Sequence, residues 1–286
     1  MWDFVRVISI AITVWLRDVR NLYFVGSIAS LKPFTYQPGT MDYGPFGFME
    51  KYDRFWNMWV GGGRSYSFSK QPDAAYGNFE TLVTSLMPLM SKSYTRREAQ
   101  SELDRFPEMM RNTVNKMWMK KLGLSKWNAD LYKRLENLMQ SSRADFTITF
   151  RQLSNLPEEM KSGEKSKDLF ESFLLKHAFY IEDLSSKMQE DFVQWIEDWR
   201  SQLESEDVDF SQVSKRMKRV NPKYVPREWM LVRAYTGAQQ GDYSTIRELH
   251  ELFKHPYDEG TKEMSSKYYR RAPSGSSSKG GTGFMT

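Results

Sequence analysis

The chain has no cysteine among its 286 residues. Disulfides, thiolate nucleophiles and cysteine-based zinc sites are therefore excluded, while the compartment stays open. Histidine is scarce too: His177, His250 and His255 are the only three, and their separations match no zinc motif. The apolar run at residues 7–16 falls well short of the roughly 20 residues that a membrane-spanning helix needs. Asp3 ahead of it, and the lack of a small-residue cleavage site before Arg17, argue against a signal peptide. It also lacks basic clusters on both flanks, so a buried helix or strand is the expectation and a membrane partner is not. A concentrated basic face is missing as well. The net charge of +5 comes from 41 basic and 36 acidic residues, well mixed along the chain. Nucleic acid is not an expected partner.

What the chain has is material for a core. Hydrophobic residues make up 40% and aromatics 15%, with nine Trp, 18 Phe and 17 Met. Global disorder is excluded at that content. From Asn78 onward the apolar spacing is helical. Phe79, Leu82, Val83, Leu86 and Met90 share one face, and Thr95 with Glu98 has capping-box spacing. Met110, Val114, Met117, Trp118 and Leu122 follow, with Gly123 read as a C-cap. Leu131, Leu135, Leu138 and Met139 mark another helix, and Phe192, Trp195, Ile196, Trp199 and Leu203 a third. The run Phe146-Thr147-Ile148-Thr149-Phe150 has β-like propensity but is too short to decide strand from helix. Residues 161–167 read as a polar linker, and the stretch after Glu259 as a Gly/Ser/Lys-rich disordered tail.

The chemistry-bearing stretch is Thr40-Met41-Asp42-Tyr43-Gly44-Pro45-Phe46-Gly47-Phe48. Glycine and proline at this density stop a helix or central strand, so Asp42 falls at a strand-to-loop junction. An Asp-aromatic-Gly junction is how kinase-like folds turn a carboxylate toward a nucleotide-bound magnesium ion. Three residues alone are also an ordinary turn. The triple glycine at residues 61–63 lacks the Lys-Ser/Thr ending of a phosphate loop and reads as a turn.

Together with Gly63-Arg64-Ser65-Tyr66-Ser67 and Asn78-Phe79, this stretch closely resembles the selenoprotein O family. The likeness continues in the family's order through Lys121-Leu122-Gly123-Leu124, Ala144-Asp145-Phe146-Thr147, Phe150-Arg151-Gln152-Leu153 and Trp195-Ile196-Glu197-Asp198-Trp199. It ends with Asn221-Pro222-Lys223-Tyr224 and Gln240-Gly241-Asp242-Tyr243. The resemblance implies a mainly α chain, the C-terminal part of a protein-kinase-like fold with a helical extension and no nucleotide-binding lobe. The implied layout is a divergent segment at 1–40, a metal loop and activation segment at 41–90, a helical lobe at 91–258 and the tail at 259–286. The implied activity is protein adenylyltransfer, moving AMP from ATP to hydroxyl side chains of protein substrates with Mg2+ or Mn2+. By this likeness Asp42 would hold the metal and, with Arg64, the nucleotide phosphates. The implied address is the mitochondrion in a eukaryote and the cytoplasm otherwise.

No residue is given a catalytic role. The family's Asn-x-Asp-Asn type loop should precede Asp-Tyr-Gly, yet residues 26–39 contain no Asp, Asn, Glu or His. Serine and glutamine there cannot act as a base near neutral pH. The expectation is an incomplete, pseudokinase-like chain with little activity of its own. The alternative is a non-catalytic helical protein-interaction module.

Overall fold

The computed structural model describes residues 48–56, 64, 67–90, 93–181 and 183–276. Within these the chain is mainly α-helical, as expected. The β pairing found among the described residues consists of two isolated antiparallel bridges, Lys51 with Asp145 and Ala144 with Phe179. Two compact units are present: the described parts of the first lie at 54–117, and those of the second at 48–53 and 118–276.

In the first unit, helix α1 (Gln71–Leu86) carries Pro72 in its first turn, where the missing N–H costs nothing. Its buried residues Gln71, Ala75, Phe79 and Val83 repeat every four positions, which is one helical face. Phe79 stacks on Phe106 at 4.8 Å between ring centroids. Phe106 belongs to α2 (Ser93–Leu122), whose N-terminal part lies in this unit. The helix starts two residues ahead of Thr95, so the expected capping box falls inside its first turn.

The second unit begins at the C-terminal end of α2. Gly123 takes φ +71°, Leu124 N–H donates to the Met119 carbonyl at 2.9 Å, and the helix stops there, as its sequence position indicated. Next come α3 (Ala129–Ser142), α4 (Phe146–Leu153), α5 (Leu156–Lys161) and α6 (Ser166–Leu169), which runs into a π-helical turn at Phe170–Leu175. Asn128 caps α3 by accepting from Leu131 N–H. All eight residues of α4 are buried, so the β-like run is a core helix.

Helix α7 (Ser186–Ser205) lays Phe192, Trp195, Ile196, Trp199 and Leu203 inward. Its two tryptophans also use their indole N–H groups: Trp195 donates to Leu131 O at 2.8 Å and Trp199 to Leu122 O at 2.9 Å. The chain continues through α8 (Phe210–Lys218), α9 (Glu228–Gln239), α10 (Ser244–Lys254) and α11 (Lys262–Tyr268). The last helix lies where a disordered tail was expected. Thr261 caps it, and Tyr268 is buried with Tyr224, Trp229, Met230, Ala234 and Leu249.

Candidate functional site

Asp42 lies outside the described residues, as does the 26–39 interval. The chain downstream of the Asp-Tyr-Gly stretch becomes describable at Phe48, and there it is stitched into the second unit. Phe146 N–H donates to Glu50 O at 2.8 Å, and Tyr52 N–H donates to Ala144 O at 2.7 Å. Asp145 N–H donates in turn to Ala178 O at 2.6 Å. Three segments far apart in sequence thus meet at Asp145.

Asp145 is completely buried. Its Oδ1 caps α4 by accepting from Ile148 N–H at 2.9 Å and also accepts from Arg227 Nη2 at 2.9 Å. Its Oδ2 accepts from Arg227 Nη1 at 2.6 Å and from the Tyr180 hydroxyl at 3.2 Å. Three N–H donors and a share of the single Tyr180 proton, which Glu50 also draws on at 3.0 Å, occupy the acceptor directions of the carboxylate. Asp145 is therefore a structural clamp, its oxygens turned toward Arg227, the Ile148 amide and Tyr180. Burial works against the charge on Arg227, but its pairing with Asp145, aided by Glu50, more than offsets this and leaves its pKa above the ordinary value.

Glu50 stands at the edge of this clamp with its side chain 19% exposed. It lies 3.0 Å from the Tyr180 hydroxyl and 4.0 Å from Arg227 Nη1. Burial raises its carboxyl pKa; Arg227 pulls it down and Asp145 pushes it up. Tyr180 is lifted by burial and by both carboxylates, so its phenol stays protonated and donates. In chemical terms this is a proton-holding cluster that locks residues 50–52 onto the helical body.

A second buried group lies at the end of α2. Lys121, 1% exposed, donates from Nζ to Asn221 Oδ1 at 2.9 Å and sits 4.8 Å from the Phe150 ring centroid. Asn221 Nδ2 returns hydrogen bonds to Lys121 O and Ser154 Oγ. Desolvation brings the Lys121 ammonium pKa down to about 7.

Arg64, the other residue singled out by sequence, is exposed, with its guanidinium 5.1 Å from the centre of the Phe55 ring. Its carbonyl accepts from Ser67 Oγ at 2.7 Å. Among the described residues no group of three His, Asp or Glu side chains could hold a metal ion. The described donor set thus does not make a magnesium site.

The family model described as "Protein adenylyltransferase SelO" matches residues 37–254. The chain belongs to the SelO family. Bacterial SelO-type relatives agree. The chain is 30% identical over 253 residues to "Protein nucleotidyltransferase YdiU" of Flavobacterium johnsoniae, covering 86% of this chain and 46% of the relative. Against the protein of the same name from Xanthomonas axonopodis pv. citri it is 31% identical over 256 residues, covering 88% and 46%. Against that from Methylococcus capsulatus it is 34% identical over 229 residues, covering 77% and 42%. The chain thus spans about half the length of these SelO relatives. A mitochondrial address gains no support from bacterial relatives, and among the described residues no helix is long and apolar enough to cross a membrane.

Asp145, Lys121, Arg151 and Asn221 lie in the stretches that carry the family resemblance, where sequence alone gives them no role. An aspartate just before an apolar run is a helix-start signal that could have exposed the α4 cap. Nothing local could have paired Asp145 with Arg227, 82 residues later.

Proposed function

We propose that this chain is part of a protein nucleotidyltransferase that moves AMP from ATP to hydroxyl side chains of proteins. The observation that carries this reading is the family match over residues 37–254, a span that includes Asp42 and Arg64. In this reading Asp42 holds the divalent metal, Arg64 meets a phosphate, and the Glu50–Tyr180–Asp145–Arg227 clamp fixes the chain that follows the metal loop. Nucleotidyl transfer depends on several groups acting together for positioning and charge neutralisation. With no acid, amide or imidazole side chain other than Gln37 in residues 26–39, transfer by this chain alone is expected to be weak. That same composition favours a second reading, a helical module that binds proteins without catalysis.

The test incubates the purified chain and Asp42→Ala with Mg2+ or Mn2+ and ATP labelled on either the α- or the γ-phosphate. Protein labelled from the α-phosphate alone, and lost in the variant, supports adenylyl transfer. Label from the γ-phosphate overturns it in favour of a kinase. No label from either, with no heat on titrating ATP, favours the interaction module.

A further inference from the structure

Beside the Asp145 clamp, the π-helical turn at Phe170–Leu175 delivers Lys176 and His177 to one wall of a cavity of about 150 Å³. Tyr269, Arg270 and Arg271 line it from the segment after α11, and Ile148 of α4 completes it. Four of these six residues are basic and none is acidic. Among the described residues, Lys176, Arg270 and Arg271 are in no ion pair. Partial burial first, and then the neighbouring charges of Lys176 and Arg271, push the His177 imidazole pKa down.

The guanidinium groups are held from behind. Arg270 Nε donates to Lys267 O at 3.2 Å while its Cζ lies 5.0 Å from the Trp229 ring centre. Arg271 donates from Nη1 to Phe179 O and lies 5.9 Å from the Tyr180 ring centre. Each therefore commits one of its five N–H donors and keeps a preorganised fork. The Tyr269 ring closes one side, while its buried hydroxyl, which has no hydrogen-bond partner among the described residues, feels the charges of Arg151, Asp145, Arg227 and Glu259.

We propose that this cavity binds a phosphate-class oxyanion, as the free ion or as the terminal phosphate of an ester. Guanidinium forks suit tetrahedral oxyanions, and an anion would relieve the crowding of Lys176, His177 and Arg271. The size agrees. At about 150 Å³ the cavity is below the roughly 300 Å³ at which pockets for drug-sized ligands begin, yet well above what one water needs. Only the phosphate end of a larger ligand fits inside.

The test is calorimetric titration of the whole chain with inorganic phosphate at constant ionic strength, made up with chloride. Arg270→Gln and Lys176→Gln are compared, since both side chains are exposed at the rim and neither lies in the core. Unchanged thermal midpoints confirm that both variants fold. Binding of one phosphate, weakened about tenfold by each substitution, is the expected result. No binding in the millimolar range, or equal binding by wild type and both variants, overturns the proposal. AMP is titrated in parallel: displacement of phosphate by AMP supports an esterified phosphate as the occupant, and phosphate binding that AMP leaves untouched supports the free ion.

Discussion

Removing Arg227 while keeping Asp145 strands a completely buried carboxylate that retains only Tyr180 and the Ile148 amide as donors. Breaking a buried pair on one side typically costs about 3–5 kcal/mol, because the remaining charge is uncompensated. Arg227→Met should lower stability by that amount in urea unfolding. The double variant Asp145→Asn with Arg227→Met should regain part of it, since asparagine can still cap α4. A double variant no more stable than Arg227→Met alone would refute the pairing argument. Lys121 gives a test in pH. Its folded pKa of about 7 lies below the ordinary 10.5, so between those values the unfolded chain binds more protons than the folded one. Stability then rises with pH from about 7 upward, and below about 7 the penalty of a buried ammonium is constant. Above about pH 10 the buried tyrosines act in the opposite direction, because burial holds the phenols of Tyr180 and Tyr269 protonated. Urea midpoints at pH values between these limits should therefore climb for the native chain and stay flat for Lys121→Met. Equal slopes in the two proteins would remove Lys121 as the cause.

Helix ends and faces are the features most legible in the sequence. The stop at Gly123 was legible because a helix ending in a left-handed residue favours glycine, and the α3 and α7 stripes were legible because each has one wet side. Gly123 has a further constraint that sequence does not display: a Cβ there would lie 2.4 Å from Val213 Cγ1 and 2.9 Å from Met217 Sδ. Gly123→Ala combines left-handed strain with overpacking against α8 and should cost about 2–4 kcal/mol, read as a lowered midpoint. A loss below about 0.5 kcal/mol, which is ordinary for a surface change, would show that α8 yields freely there. Helix α4 was illegible for the opposite reason. With every residue buried it has no polar face, so period and propensity both fail and only its Asp145 cap distinguishes it from a strand. The candidate site suffered more. Of its two residues with expected chemistry, Asp42 lies outside the described residues and Arg64 is exposed, and the clamp is built from Glu50, Asp145, Tyr180 and Arg227, which no local pattern connects.

Among the described residues, the largest departure from expectation is the stretch 259–276. Glycine, serine and lysine made it resemble a disordered tail, and a seven-residue helix such as α11 has no stability of its own. What orders it is long-range pairing. Glu259 Oε1 lies 2.7 Å from Nη2 of Arg151, a buried guanidinium that also donates to the carbonyls of Lys218 and Asn221. Lys223 Nζ donates to the Glu259 carbonyl at 2.6 Å and the Tyr224 hydroxyl to the same oxygen at 2.9 Å. Tyr268 enters the core, and Ala272 N–H donates to the Tyr180 hydroxyl at 2.9 Å, which ties the segment to the Asp145 clamp. A chain ended after Asp258 should therefore lose more than a tail. Burial of Tyr268 alone is worth about 2 kcal/mol, and Arg151 would be left without its carboxylate. The expected result is a lower unfolding midpoint together with faster amide exchange at the Glu50 and Asp145 pairing. A truncated chain with the native midpoint would show that the segment merely rests on the surface, and the phosphate-class cavity that Tyr269, Arg270 and Arg271 line would lose one of its walls at no cost to the fold.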